Sequence, residues 1–102
     1  MYKYSENDVE PGWRPVVKAA IEAVERLGGT ILQVKEKFGG LRIYYHANGN
    51  NSDDMDAIVK NAEFLCSEMC EFCGEPAKPI TINGWVKTCC RKCEAKIVLD
   101  KM

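Results

Sequence analysis

Cys70-Glu71-Phe72-Cys73-Gly74, followed later by Cys90-Arg91-Lys92-Cys93, is the stretch whose reading decides the fold. The two Cys-x-x-Cys pairs are separated by the sixteen residues Gly74 to Cys89, which is the spacing of a four-thiolate zinc site. Each pair makes a tight knuckle that presents two sulfurs about 2.3 Å from one ion, and two knuckles complete a tetrahedron. Gly74 suits the backbone turn that follows the second cysteine of a knuckle. Between the pairs, Asn83-Gly84 is flanked by Pro79-Ile80-Thr81-Ile82 and Trp85-Val86-Lys87-Thr88, a strong short-range hairpin signal. Glu94-Ala95-Lys96-Ile97-Val98-Leu99 then carries a short helical pattern. Knuckle, hairpin and a cysteine pair opening a helix form the layout of a treble-clef zinc finger. The expected ligands are Cys70, Cys73, Cys90 and Cys93, and the expected cofactor is Zn2+.

Other uses of the thiols fit less well. Disulfides need an oxidising compartment, and Met1-Tyr2-Lys3-Tyr4-Ser5-Glu6 contains no apolar signal segment, so a cytoplasmic location is expected. A thioredoxin-like motif would sit beside a parallel βαβ unit, which the pattern does not suggest. Four thiolates leave no open coordination position for catalysis. The deaminase signature is missing too, since the single histidine reads His46-Ala47-Asn48. Cys66 reads as a buried reduced thiol, or alternatively as a substitute ligand one turn before Cys70. Cys89 is ambiguous in the same way, although Cys90 and Cys93 make the better knuckle.

The 102 residues allow one small domain supplemented by a metal. No stretch approaches membrane-spanning length. Net charge is −1. Four thiolates around a dication would bring it to about −3, which disfavours sequence-blind binding along a phosphate backbone. The charge is unevenly placed: residues 31–50 carry +2 and residues 51–69 carry −4.

Taken in order, residues 1–12 are polar, end in Pro11-Gly12 and read as an irregular lead-in. Residues 13–69 read as an α+β core of helix, hairpin and helix, continuous with a finger over 70–102. Pro15 suits a first helical turn. Val17, Ala20, Ile21, Val24 and Leu27 recur at helical spacing until Gly28-Gly29. Thr30 to Phe38 and Leu41 to Ala47 look like strands around a Gly39-Gly40 turn. That turn would set Lys37 opposite Arg42, Lys35 opposite Tyr44 and Gln33 opposite His46. On the other face it would set Phe38 opposite Leu41, Glu36 opposite Ile43 and Val34 opposite Tyr45. The second face is mostly apolar and is expected to pack on the helices, with Glu36 out of place. After the polar loop 48–54, capped by Ser52 or Asp53, Met55, Ile58, Val59, Ala62, Leu65, Cys66 and Met69 form a helical stripe that runs straight into Cys70.

Lys35-Glu36-Lys37-Phe38-Gly39-Gly40-Leu41-Arg42, then Tyr44-Tyr45, the Cys70 and Cys73 knuckle, Gly84-Trp85 and the final Cys90 and Cys93 pair together resemble short zinc-finger proteins encoded by bacteriophage and prophage genomes. The resemblance spans roughly residues 12–95. It implies a phage-type context and a bacterial host cytoplasm, and it supplies no mechanism.

No Ser-His-Asp set, Gly-rich phosphate loop or spaced carboxylate pair stands out. The sequence therefore points to a non-enzymatic zinc-binding interaction module that binds and modulates a bacterial protein, with no membrane and no small-molecule substrate evident. Lys35, Lys37, Arg42 and Tyr44, on the outer face of the first hairpin, are the expected partner-binding residues, since like charges opposite one another do nothing for a sheet. The alternative is a nucleic-acid-binding finger that uses Lys87, Arg91, Lys92 and Lys96 for phosphate contacts. A reactive thiol enzyme is a third, weaker reading.

Overall fold

Helix α1, Arg14–Arg26, starts where Pro15 fits the first turn. It ends at Leu27, with Gly28 following at φ 92°, a value that glycine adopts without strain. Its stripe buries Val17, Ala20, Ile21 and Val24 as the spacing predicts. This computed structural model describes residues 3–100. Two antiparallel hairpins follow the helix at different distances along the chain: β1 (Thr30–Lys37) with β2 (Gly40–His46), and β3 (Lys78–Ile82) with β4 (Trp85–Cys89). Helix α2 (Ser52–Ser67) lies between the hairpins in sequence, and α3 (Arg91–Asp100) follows the second. The architecture is α+β. Among the described residues no helix is long and apolar enough to cross a membrane.

The larger core lies where α1, α2 and the inner face of β1–β2 meet. Trp13, Val17, Val24, Leu41, Met55 and Cys66 are its most deeply buried side chains, with Val34 beside them on β1 and Val59 and Ala62 along α2. The stripe expected on α2 is narrower than the sequence suggests. Leu65 is half exposed, because the core-facing direction of α2 runs through Met55, Val59, Ala62 and Cys66. The cap of α2 also differs. The helix begins at Ser52, with Asn51 at the cap position. The Asn51 side-chain amide donates to Leu27 O at 3.2 Å, so it ties the loop to the end of α1 and makes no cap bond of its own.

The lead-in contains two single 3-10 turns, Glu6–Asp8 and Pro11–Trp13. Ser5 and Asp8 form a capping box on the first, and Val9 is buried in the main core.

The register of the first hairpin departs from the sequence reading. The turn is Phe38-Gly39, one residue earlier than expected, and Gly40 opens β2. The observed pairs are therefore Lys37 with Gly40, Glu36 with Leu41, Lys35 with Arg42, Val34 with Ile43 and Gln33 with Tyr44. A bulge between Ile31 and Gln33 lets Ile31 meet Tyr45 and Thr30 meet His46. Two contacts select this turn. The Glu36 carboxylate accepts from Gly39 N–H at 2.6 Å, and Gly39 O accepts from the Thr88 hydroxyl at 2.6 Å. Between Gln33 and the turn the shift slides each pair by two positions along the partner strand and so preserves which residues face inward. Beyond the bulge it is three positions, which turns Ile31 to the core and leaves Leu32 exposed. Phe38 is a further exception, since it leaves the inner face for the turn. The second hairpin matches its signal, with Asn83 and Gly84 both at positive φ and Ile82 opposite Trp85.

Candidate metal centre

The knuckle at Cys70 and Cys73 begins three residues past the end of α2, where Met69 makes a bridge to Pro76 that folds the chain back on itself. Cys70 N–H donates to Glu75 O and Gly74 N–H to Cys70 O, which closes the loop and brings Gly74 to φ 83°. Cys90 and Cys93 enter from the opposite side, at the end of β4 and in the first turn of α3, where Glu94 N–H donates to Cys90 O.

The sulfurs of Cys70, Cys73, Cys90 and Cys93 all lie within 4.8 Å of one another. Cys73 and Cys90 are 3.6 Å apart. Tetrahedral sulfurs around one zinc ion are separated by about 3.8 Å, so the donor set and its spacing suit that ion. Burial pushes the Cys70 thiol up, but the backbone N–H groups of Cys90, Phe72 and Cys73 outweigh it and bring it down to about 6. These amides favour the thiolate that a metal needs. Cys70 and Cys93 are buried, Cys90 is half-buried and Cys73 is exposed, so the cluster lies at the surface with one sulfur toward solvent. These four cysteines form a cluster that can hold a metal ion.

The two spare cysteines lie elsewhere. Cys66 is fully buried in the main core, where burial first and the Glu71 carboxylate second push its thiol up to about 12. Cys89 is buried beside the cluster, with its thiol directed to Cys90 O at 3.3 Å.

A seam joins the cluster to the rest of the chain, and most of its residues carried no signal in the sequence. Gly12 N–H donates to Glu71 O at 2.7 Å. A Cβ on Gly12 would meet Cys70 O and lie 2.6 Å from Gly74 N, so only glycine fits there. Trp13 Nε1–H donates to Met69 O at 2.9 Å. Glu71, 1% exposed, accepts from Thr88 N–H at 2.9 Å. Burial raises its carboxyl to about 7, against the pull of Thr88 N–H and the Lys87 ammonium. Lys87 bridges the two hairpins, 2.9 Å from Glu36 and 3.8 Å from Glu71. Glu36, which looked misplaced on an apolar face, serves this seam. It holds the Phe38-Gly39 turn with one oxygen and Lys87 with the other.

Of the residues expected to bind a partner, Lys35, Arg42 and Tyr44 share the outer face of β1–β2. Lys35 lies across from Arg42, and its ammonium sits 5.5 Å from the centre of the Tyr44 ring. Lys37 is not opposite Arg42. It pairs with Gly40 beside the turn, with its ammonium 5.8 Å from the Phe38 ring centre. Compared with known proteins, the chain matches no family model, no curated protein and no solved structure.

Proposed function

We propose that this chain is a small non-enzymatic zinc-binding module, with a finger of treble-clef type, that binds and modulates a bacterial protein in a phage-type setting. The closed set of four sulfurs carries this reading. Every position of a tetrahedral ion would be taken by Cys70, Cys73, Cys90 and Cys93, which leaves the metal a structural role and no place for substrate. The finger then acts as a base for the first hairpin. Lys87 and Thr88 of β4 grip Glu36 and Gly39, so the outer strip of Lys35, Lys37, Arg42 and Tyr44 rests on a rigid support. A cationic strip with an aromatic member suits an acidic protein surface.

Lys87 does not serve the nucleic-acid reading, because it is engaged by Glu36 and Glu71 inside the seam. Arg91, Lys92 and Lys96 remain exposed on α3, and the net charge of −1 opposes general phosphate binding.

The reading is tested by elemental analysis of the purified chain and by affinity purification from bacterial lysate with and without nuclease. One zinc per chain and retention of a bacterial protein after nuclease treatment are expected. The Lys37→Glu/Arg42→Glu double variant should lose that protein and keep its zinc. Absence of zinc, or retention that nuclease abolishes, would count against the module.

A further inference from the structure

Phe38 combines two properties that stability does not account for. Its φ is 53°, in the left-handed region where a bulky residue is an outlier. Its side chain is 75% exposed, so no burial of the ring offsets the strain. A single exposed apolar residue needs no explanation, and strain alone occurs in turns, but here the two coincide at one position. The molecule also contains its own control. The second hairpin turns on the same geometry, with Asn83 at φ 50° and Gly84 at φ 85°, against 53° and 78° for Phe38 and Gly39. There the first position holds asparagine, the residue this turn favours. An aromatic is therefore not required to make the turn.

We propose that Phe38 is the anchor of a protein–protein interface and inserts into an apolar pocket of the partner whose rim is acidic. This rests on the reading of the chain as a protein-binding module and names the contact that module makes. The turn is held from behind. Glu36 accepts from Gly39 N–H, Thr88 donates to Gly39 O, and a Cβ on Gly39 would lie 3.2 Å from the Lys87–Thr88 backbone. The ring thus projects from a fixed base and loses little freedom on insertion, which is how a few rigid aromatics come to dominate interfaces.

The surroundings of the ring set the charge of the rim. Lys37 lies over it, and Lys35 and Arg42 face each other farther along the same outer face. The one acidic side chain of β1, Glu36, is turned inward to Lys87. An anionic membrane would also welcome a phenylalanine among cations. The net −4 of residues 51–69 and the total of −1 oppose that surface, whereas a pocket the size of one side chain meets only the local charge.

The test uses the full zinc-loaded chain. A photoreactive benzoylphenylalanine in place of Phe38 is irradiated in bacterial cells, the lysate is nuclease-treated, and the cross-linked protein is identified and purified. That protein is then titrated with the wild type, Phe38→Asn and Arg42→Glu. We expect Phe38→Asn to raise the midpoint of thermal unfolding while weakening binding by about tenfold or more. Arg42→Glu should weaken binding and flatten its salt dependence. A merely structural phenylalanine would not move stability and binding in opposite directions. Unchanged affinity of Phe38→Asn overturns the anchor. So does a cross-link to nucleic acid only, or binding of the wild type to phosphatidylserine vesicles that Phe38→Asn abolishes. If affinity purification with the wild type retains a protein that does not cross-link through position 38, the anchor fails and the module stands. If nothing proteinaceous is retained, both fail.

Discussion

The two hairpins share a turn geometry and differ in what holds them. The inner face of β1–β2 sets Val34, Leu41 and Ile43 against helices that also bury Trp13, Val17, Val24 and Met55. The cluster behind β3–β4 buries Cys70, Ile82, Cys89 and Cys93, so among the described residues Ile82 is its one buried hydrocarbon side chain, with Phe72, Ala77, Ile80 and Ile97 only partly buried against it. Burying an isoleucine contributes about 1.5–3 kcal/mol, while each ordered residue costs about 1–2 kcal/mol in backbone entropy alone. Packing contributes far more to the first hairpin than to the second. Beside the second lie four thiols placed so that they can hold a metal ion, a support of a different kind. One small chain thus sets an apolar core beside a cysteine cluster and joins them by polar contacts among Glu36, Gly39, Glu71, Lys87 and Thr88.

The largest expected effect separates the two supports. Removing the metal with a strong chelator, or by Cys73→Ser, should withdraw on the order of 10 kcal/mol from the finger and leave the helix-backed hairpin folded. Alkylation followed by mass spectrometry reads this directly. Cys70, Cys73, Cys90 and Cys93 should become modified at pH 8 while Cys66, with its thiol at about 12 and fully buried, stays protected. Modification of Cys66 at the same chelator concentration would show that the two hairpins unfold as one unit.

Gly12→Ala comes next. Its methyl group would collide with backbone atoms of Cys70, Glu71 and Gly74. Nothing there is a flexible side-chain end that could yield, so a loss of about 3 kcal/mol is expected in denaturant melts. A loss below about 0.5 kcal/mol, the range of ordinary surface changes, would mean that the lead-in does not pack on the knuckle in solution.

The seam between the hairpins is worth less, because Lys87 and Glu36 are each about a quarter exposed. A double-mutant cycle with Glu36→Gln and Lys87→Met should give a coupling of about 1 kcal/mol. A coupling indistinguishable from zero would leave the hairpins adjacent but independent.

The smallest effect exchanges the two turns. Asn83→Phe should cost about 1 kcal/mol and Phe38→Asn should return a similar amount, both with zinc content unchanged. Equal stability in both variants would remove the contrast between the turns and the strain on which the role of Phe38 depends.

How much of this was legible in the sequence follows from how local each signal is. The stripe of α1, the Asn83-Gly84 turn and the cysteine spacing depend on neighbours within a few residues, and each appears where the pattern places it. The choice of Cys90 over Cys89 for the cluster followed from the x-x spacing alone. The first turn was misplaced because Gly39-Gly40 and Phe38-Gly39 compete locally. The winner is decided by Thr88, forty-nine residues away. Glu36 looked like an error in an apolar face for the same reason, as its partner Lys87 lies fifty-one residues further on. Gly12 gave no warning that it was a contact, since a glycine after a proline reads as a turn whether or not backbone passes within touching distance.

The two tryptophans fall one on each side of this division. Trp13 is wholly shielded and donates its indole N–H to Met69 O, whereas Trp85 stands 70% exposed beside the second turn. Their emission is therefore a built-in pair of optical probes. Iodide added to the folded protein should quench the red-edge light of Trp85 and leave the blue-edge light of Trp13, so one cuvette can follow the finger and the helical core separately and without labels.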